Sequence, residues 1–206
     1  MAAHAAVWLL DGRAIDDAQL APYAAWLGRA EALRYARFVR PLRRRQFLIG
    51  RALLRLALGE LLGVPAGAVR LRERPGHAPA LDFPAAAPGF SLSHSGPWVA
   101  CAVSADTALG LDIEVVDAAR DLAALAEQAF EPAVATALAR LPAAARAAAF
   151  YRAWSAQEAR YKLGACAAPA CLSLPHAELS IALCSAHPLA APPALVFTGL
   201  GRAERD

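Results

Sequence analysis

Two acids on one predicted strand, Asp112 and Glu114, have the type and spacing that invite chemistry. They close the stretch FSLSHSGPWVACAVSADTALGLDIE, residues 90–114. Residues 109–116 read as a strand, where positions i and i+2 project from one face about 7 Å apart. Ile113 between them points the other way, toward a core. Carboxylates held like this repel by on the order of 2 kcal/mol at an effective dielectric of about 20. A cation relieves that repulsion, and Mg²⁺ favours one or two carboxylates completed by water and substrate phosphates. The same pattern also suits two solvated acids on an edge strand, or acids paired with arginines.

A second constellation lies in FYRAWSAQEARYKLG, residues 150–164. Trp154, Glu158 and Lys162 follow at i, i+4 and i+8, so a helix presents them on one face. Trp154 would pack inward, and Glu158 and Lys162 would emerge side by side. A Glu–Lys pair at this spacing is common and worth about 0.3–0.5 kcal/mol. Yet Lys162 is the only lysine in the chain. A compact ammonium where the chain otherwise uses arginine suggests a point charge set against phosphate or carboxylate.

Several elements must carry these residues. Residues 6–10 form a first strand, and Asp16 or Asp17 caps a helix running to about Gly28. Residues 31–38 suggest a short helix ended by Pro41. Residues 42–62 are the clearest helix, with Phe47, Leu48, Leu54, Leu58 and Leu61/Leu62 in a stripe and Gly63 as the C-cap. Arg44, Arg51 and Arg55 fall largely off that stripe. Residues 69–73 alternate as a strand, 74–77 form a turn, and 79–88 read as a Pro/Ala loop. Strands follow at 90–95, 98–104 and 109–116. Helices are expected at 121–130, 132–141 and 143–163, a low-complexity loop at 164–175, and strands at 178–184 and 194–198. The tail 199–206 reads as frayed. Each half runs through helices and then strands, which hints at duplication without a provable repeat.

Composition narrows the class. At 206 residues with 58% hydrophobic and 19% charged side chains, the chain is globular rather than disordered. No stretch reaches 18 uninterrupted apolar residues, so no membrane span is expected. The opening MAAHAAVWLLDGR lacks a basic n-region and soon turns polar, so no secretory signal is expected. Cys101, Cys166, Cys171 and Cys184 fit no zinc spacing, and a cytoplasmic protein with reduced thiols is expected. Cys101 reads as a buried small hydrophobe. Arg29, Arg34, Arg37, Arg40, Arg43, Arg44, Arg45, Arg51 and Arg55 cluster in the first third, almost unopposed by acids. That favours a phosphate-bearing ligand, an acidic protein or nucleic acid, and equally suits a solvated helix face.

Three pieces stand in order: F-S-L-S-H-S-G at 90–96, G-L-D-I-E at 110–114 and W-S-A-Q-E-A-R-Y-K at 154–162. Together they resemble the 4′-phosphopantetheinyl transferase superfamily, in its monomeric, two-lobed, surfactin-synthetase-activating type. Gly-x-Asp-x-Glu and Trp-Ser-x-Lys-Glu-x-x-x-Lys are signatures of that family. The resemblance covers about residues 30–182 and includes the Arg-rich stretch ending in Leu-Ile-Gly-Arg. It implies an α+β fold of two similar lobes forming a pseudo-dimer, each with helices on a small, mainly antiparallel sheet. The lobes would be residues 1–105, with coenzyme A and carrier contacts, and 106–206, with the metal and catalytic residues.

The implied activity transfers the phosphopantetheine arm of coenzyme A to a serine of an acidic apo acyl or peptidyl carrier protein, releasing 3′,5′-ADP. Carried over residue by residue, Asp112, Glu114 and Glu158 would hold Mg²⁺. Glu158, or a water held by the ion, would take the serine proton, and Lys162 would stabilise phosphate charge. Ser93 and His94 match the family's coenzyme-A-binding Ser-His pair. Arg72, Gly76 and His77 fall where the family has its Gly-Lys-Pro loop, and Arg34 is aligned with a 3′-phosphate contact. By themselves, Ser93-His94 is equally ordinary turn polarity and His77 an exposed loop histidine.

The chain also departs from the pattern. Gln157 replaces the lysine before the motif glutamate, and Gly76-His77-Ala78 replaces Gly-Lys-Pro. Val134 stands where Phe-x-x-x-Glu would place an acid after Phe130. Gly164-Ala165-Cys166 replaces a Gly-Lys-Gly loop, and the C-terminus looks short of a final strand. With the metal triad kept, activity is expected. The alternatives are a non-catalytic relative that binds coenzyme A or a carrier protein, and an Arg-rich nucleic-acid-binding protein. The latter lacks an aromatic stacking set or recognition-helix motif, so no nucleic-acid partner is expected.

Overall fold

The computed structural model describes residues 2–74, 76–197 and 200. The first half contains β1 (Ala6–Asp11), α1 (Asp17–Leu20), α2 (Arg29–Ala36), α3 (Pro41–Leu62), β2 (Arg70–Arg72), β3 (Ala80–Phe83), β4 (Gly89–Ser95) and β5 (Trp98–Ser104). The second contains β6 (Leu109–Val115), α4 (Leu122–Ala129), α5 (Pro132–Ala139), α6 (Ala143–Leu163), β7 (Ala170–Leu174), β8 (Leu179–Ser185) and β9 (Leu195–Phe197). The fold is α+β with small, mainly antiparallel sheets.

Four layers follow from the alternation of each strand. One sheet has the order β4-β5-β1-β9 and another β6-β8-β7. Trp8, Leu10, Val99, Cys101 and Val103 face α3, which contributes Leu48, Ile49, Leu53, Leu54 and Leu58. The opposite residues, Val7, Leu9, Trp98, Ala100 and Ala102, pack against Leu109, Leu111, Ile113, Ile181 and Leu183 of the second sheet. On the far side of that sheet Ala182 and Cys184 meet Ala159 of α6. The order is therefore helix, sheet, sheet, helix, with side-chain period 2 deciding which core each strand residue enters.

The chain crosses between the halves. β9 pairs in parallel with β1, so a late strand completes the sheet of the first half. Ala3 also bridges to Leu189. Of the strand expected at 194–198, position 198 lies outside the described residues, as do 199 and 201–206 of the expected frayed tail.

Most expected elements form near their expected bounds, and four expectations are corrected. The first helix is one α turn, with Asp16 accepting from the Gln19 N–H in a capping box, and it continues as a 3-10 helix over Ala21–Trp26. The 79–88 segment contains β3, which pairs with β2. The 164–175 segment contains β7, which pairs with β8. Both were masked by their Ala/Pro content, because edge strands take their stability from a partner rather than from propensity. Finally, the thiols are not all reduced. Cys171 and Cys184 face each other directly across β7 and β8 with Cα atoms 4.1 Å apart, and they form a disulfide. Cys101 is free and buried, as expected, and burial pushes its thiol pKa far up.

The arginine cluster also reads differently in three dimensions. Arg51 and Arg55 are buried within α3, Arg55 with only 1% of its surface exposed. Glu31, 0% exposed, receives Arg55 and the Arg51 Nε, the latter at 2.9 Å. Its Oε2 also accepts the Gly28 N–H at 3.0 Å. Glu73 joins Arg51 and Arg34, the latter at 2.6 Å. Arg45 pairs with Asp17. Four of the nine arginines are therefore neutralised by acids remote in sequence. Arg51 lies three residues from Leu48 and Leu54, and Arg55 three from Leu58, so both adjoin the apolar stripe and can be buried once partnered.

Removing one partner of a buried ion pair strands the other charge, at a cost of about 3–5 kcal/mol. Glu31→Ala is therefore expected to lower the unfolding free energy by about that much. Urea denaturation checks this, and a loss below about 1 kcal/mol would show that the network is solvated.

Candidate functional site

The site forms where β6 is gripped from two directions. On one side lies β4, whose serines alternate at 91, 93 and 95 and so share a face. The N–H groups of Leu111, Ile113 and Val115 donate to Ser91, Ser93 and Ser95 Oγ at 2.9, 3.2 and 3.0 Å. The hydroxyls thus take the place of a partner strand for N–H groups of β6 that its pairing with β8 leaves unmet. On the other side lies α6. A Cβ on Gly110 would sit 1.9 Å from Ala159 O and 2.5 Å from Leu163 N, so only glycine lets the helix backbone approach this closely.

That approach delivers Lys162 to Asp112. Asp112 is buried, 4% exposed, and its Oδ1 accepts from Lys162 Nζ at 2.8 Å and from Ser93 Oγ at 3.0 Å. Lys162 Nζ also donates to Ser93 Oγ at 3.0 Å. Lys162 therefore bonds to the strand acid and not to Glu158, so the ordinary helix pair does not form. Asp112 Oδ2 is buried with no hydrogen-bond partner. A carboxylate oxygen left this way is expensive unless something positive completes it.

Glu114, half-buried, accepts from Ser95 Oγ at 2.7 Å. Burial raises its pKa, as does the Asp112 charge. The Ser95 hydroxyl, Lys162 and a hydrogen bond from Trp154 oppose the rise. Glu158 is half-buried on α6, one turn before Lys162. It makes no hydrogen bond or ion pair with Asp112 or Glu114. Among the described residues, no three His, Cys, Asp or Glu side chains form a group able to hold a metal ion.

His94 follows Ser93 on β4 and so points to the opposite side, toward the start of α3. Arg43 Nη1 lies 3.2 and 3.1 Å from its ring nitrogens, and also donates to Gln46 Oε1 at 3.2 Å. Partial desolvation and the Arg43 charge push the His94 pKa below its ordinary value; Lys162 adds to this and Asp112 opposes it.

Ser93, Asp112, Glu114 and Lys162 are thus brought together, whereas His94 stands on the opposite side of β4 with Arg43. Arg34, Arg72, Gly76 and His77 make no hydrogen bond or ion pair with that group. Arg34 is tied to Glu73 and lies over the Phe47 ring, 5.3 Å from its centroid. Arg72 lies 3.8 Å from Asp82 across the β2–β3 hairpin. Gly76 has φ +73° in the turn before β3, where His77 N–H donates to Arg74 O at 3.1 Å. Gln157 ties α6 to the end of α4 by donating to Ala129 O at 3.0 Å.

Sequence reasoning passed over Arg43, Ser95 and the role of Gly110. The Ser-x-Ser-x-Ser alternation was a legible signal for Ser95. Nothing local singled out Arg43 among nine arginines.

A divalent cation suits this donor set. The carboxylates are hard oxygen ligands, one oxygen is orphaned, and the second acid is repelled by the first.

Comparison with known proteins adds a separate line. Residues 108–187, which include β6 and α6, match the family model of the 4′-phosphopantetheinyl transferase superfamily. The chain is similar to 4′-phosphopantetheinyl transferase HetI of Nostoc sp., 36% identical over 148 residues, 71% of this chain and 62% of the relative. It is also similar to a putative 4′-phosphopantetheinyl transferase, slr0495, of Synechocystis sp., 29% identical over 76% of this chain and 63% of the relative. A third similar protein is 4′-phosphopantetheinyl transferase psf-1 of Bacillus pumilus, 35% identical over 70% of this chain and 59% of the relative. The chain thus spans a little under two thirds of the length of these relatives.

Two outcomes are expected from this geometry. Gly110→Ala should destabilise the fold toward the upper end of the roughly 1–3 kcal/mol typical of overpacking, because backbone atoms cannot give way; thermal unfolding measures it. Glu114→Gln should stabilise the metal-free protein near neutral pH. A raised folded pKa means that stability is fully present below the unfolded value of 4.5 and is lost as pH rises through the folded one. The gain should therefore vanish below pH 4.5. Melting curves at acid and neutral pH read it as about 2–4 °C per kcal/mol of repulsion removed.

Proposed function

The chain belongs to the 4′-phosphopantetheinyl transferase superfamily, and from that premise we propose that it transfers the phosphopantetheine arm of coenzyme A to a serine hydroxyl of an apo carrier protein. The serine oxygen attacks the phosphorus bearing the pantetheine arm. The bond from that phosphorus to the bridging oxygen breaks, and 3′,5′-ADP departs. The observation that carries the reading is the meeting of Ser93, Asp112 and Lys162. Each comes from a different motif and a different element, and they bond to one another at 2.8–3.0 Å.

Asp112, Glu114 and Glu158 are the residues that would hold Mg²⁺, which when bound supplies charge neutralisation on the pyrophosphate and the leaving group. Lys162 fixes Asp112 and adds a positive point charge beside the phosphates. Arg43, with His94 beside it, gives the opposite side of β4 a positive contact for a phosphate. Glu158 is neither ion-paired nor hydrogen-bonded to another acid, and it stands as the base for the serine proton. Residues up to 105 would supply coenzyme A and carrier contacts, including Arg34, Arg72, Gly76 and His77, and residues 106–206 the catalytic carboxylates.

Exposed Arg29, Arg37, Arg40, Arg43 and Arg44 suit an acidic carrier protein from fatty-acid, polyketide or peptide synthesis. Neutralisation of Arg34, Arg45, Arg51 and Arg55 weakens the nucleic-acid alternative. We further propose a monomer working in the cytoplasm. No described helix is long and apolar enough to cross a membrane.

Incubation with coenzyme A, Mg²⁺ and a panel of apo carriers should add the mass of the arm to at least one carrier. Glu158→Ala should cut turnover by about 10²–10⁴-fold while leaving coenzyme A binding in place. Binding without turnover in the unaltered protein would instead identify a non-catalytic relative.

A further inference from the structure

The serines of β4 do not have equal duties. Each Oγ at position n accepts the N–H of residue n+20 on β6. A serine hydroxyl carries one hydrogen, which acceptance leaves available. At Ser93 that hydrogen goes to the carboxylate of residue n+19, Asp112, and at Ser95 to that of residue n+19, Glu114. At Ser91 residue n+19 is Gly110, which offers no side chain. The same ladder therefore contains two rungs that grip an acid and one that grips only backbone.

We infer that Ser95 is a positioning residue that holds the Glu114 carboxylate in its orientation for divalent-cation binding. This rests on the proposed role of Asp112 and Glu114 as cation ligands. Asp112 has two holders, Ser93 and Lys162. Glu114, longer by one rotatable bond, has Ser95 at 2.7 Å and the Trp154 ring N–H. Without the hydroxyl, Glu114 regains side-chain freedom that cation binding must then remove. Its neighbour Asp112 also repels it away from the shared face. Partners that orient ligating carboxylates in this way typically contribute about 10–100-fold to metal affinity.

Ser91 supplies the matched control. Ser91→Ala and Ser95→Ala each remove one hydroxyl and leave one β6 N–H without its acceptor. Only the second releases an acid. Mn²⁺ titration of the whole protein with saturating coenzyme A, read by the electron paramagnetic resonance signal of free Mn²⁺ and corrected for coenzyme A alone, separates the two. Ser95→Ala should weaken Mn²⁺ binding about tenfold or more. Ser91→Ala should lower the melting temperature comparably yet shift Mn²⁺ affinity by less than about twofold. Ser95→Thr, which keeps the hydroxyl, should restore affinity. If Ser95→Ala does not fold, Ser95→Cys, similar in size with a weak donor, takes its place.

Equal weakening by the Ser91 and Ser95 variants would reduce Ser95 to a strand clamp and overturn the inference. So would a Ser95 variant that binds Mn²⁺ like the unaltered protein. Absence of saturable Mn²⁺ binding in the unaltered protein would remove the cation reading itself, a result distinct from both.

Discussion

The backbone of α6 rests on β6 at a point where no side chain can stand. Space for a Cβ at Gly110 is already taken by Ala159 O and Leu163 N. Helix and strand meet there as backbone against backbone, and the residues on either side inherit their relation. Lys162, one residue before Leu163, falls within reach of Asp112, two residues after Gly110. A 21-residue helix and a seven-residue strand thereby place an ammonium against a buried acid without any flexible connection.

The edge of β6 not paired with β8 is held by β4. Main-chain donors there meet hydroxyls of β4 rather than another main chain. Side-chain hydroxyls do two things that a strand cannot: they satisfy a backbone donor and offer a proton to an acid beside it. The two sheets are thus joined along one edge by groups that also shape the site. Electrostatic cost concentrates in the same place, in an orphaned Asp112 oxygen and a Glu114 held against burial and like charge. Such cost is tolerated where a cationic ligand relieves it.

The first half is held by different means. Glu31 and Glu73 bind Arg34, Arg51 and Arg55 into one network, buried at Glu31, Arg51 and Arg55, that links α2, α3 and the end of β2. Arginine suits this because its planar fork meets two acids at once. The remaining exposed arginines around the start of α3 stay on the surface, available to an anionic partner.

Much of this was legible in the order of residues. An apolar stripe predicts α3, and short runs of strand length bounded by turn signals predict the three strands from 89 to 115. The Gly-x-Asp-x-Glu and Trp-to-Lys spacings single out Asp112, Glu114, Glu158 and Lys162, since two acids on one strand face and a lone lysine are anomalies of local chemistry. Only tertiary structure decided which of them touch. Lys162 chose Asp112 over Glu158, Arg51 and Arg55 went inside rather than out, and β3, β7 and the Cys171–Cys184 bond formed. Each outcome depends on a partner seven or more positions away, and the free energy of a contact resides in the pair, which no local stretch of residue types contains.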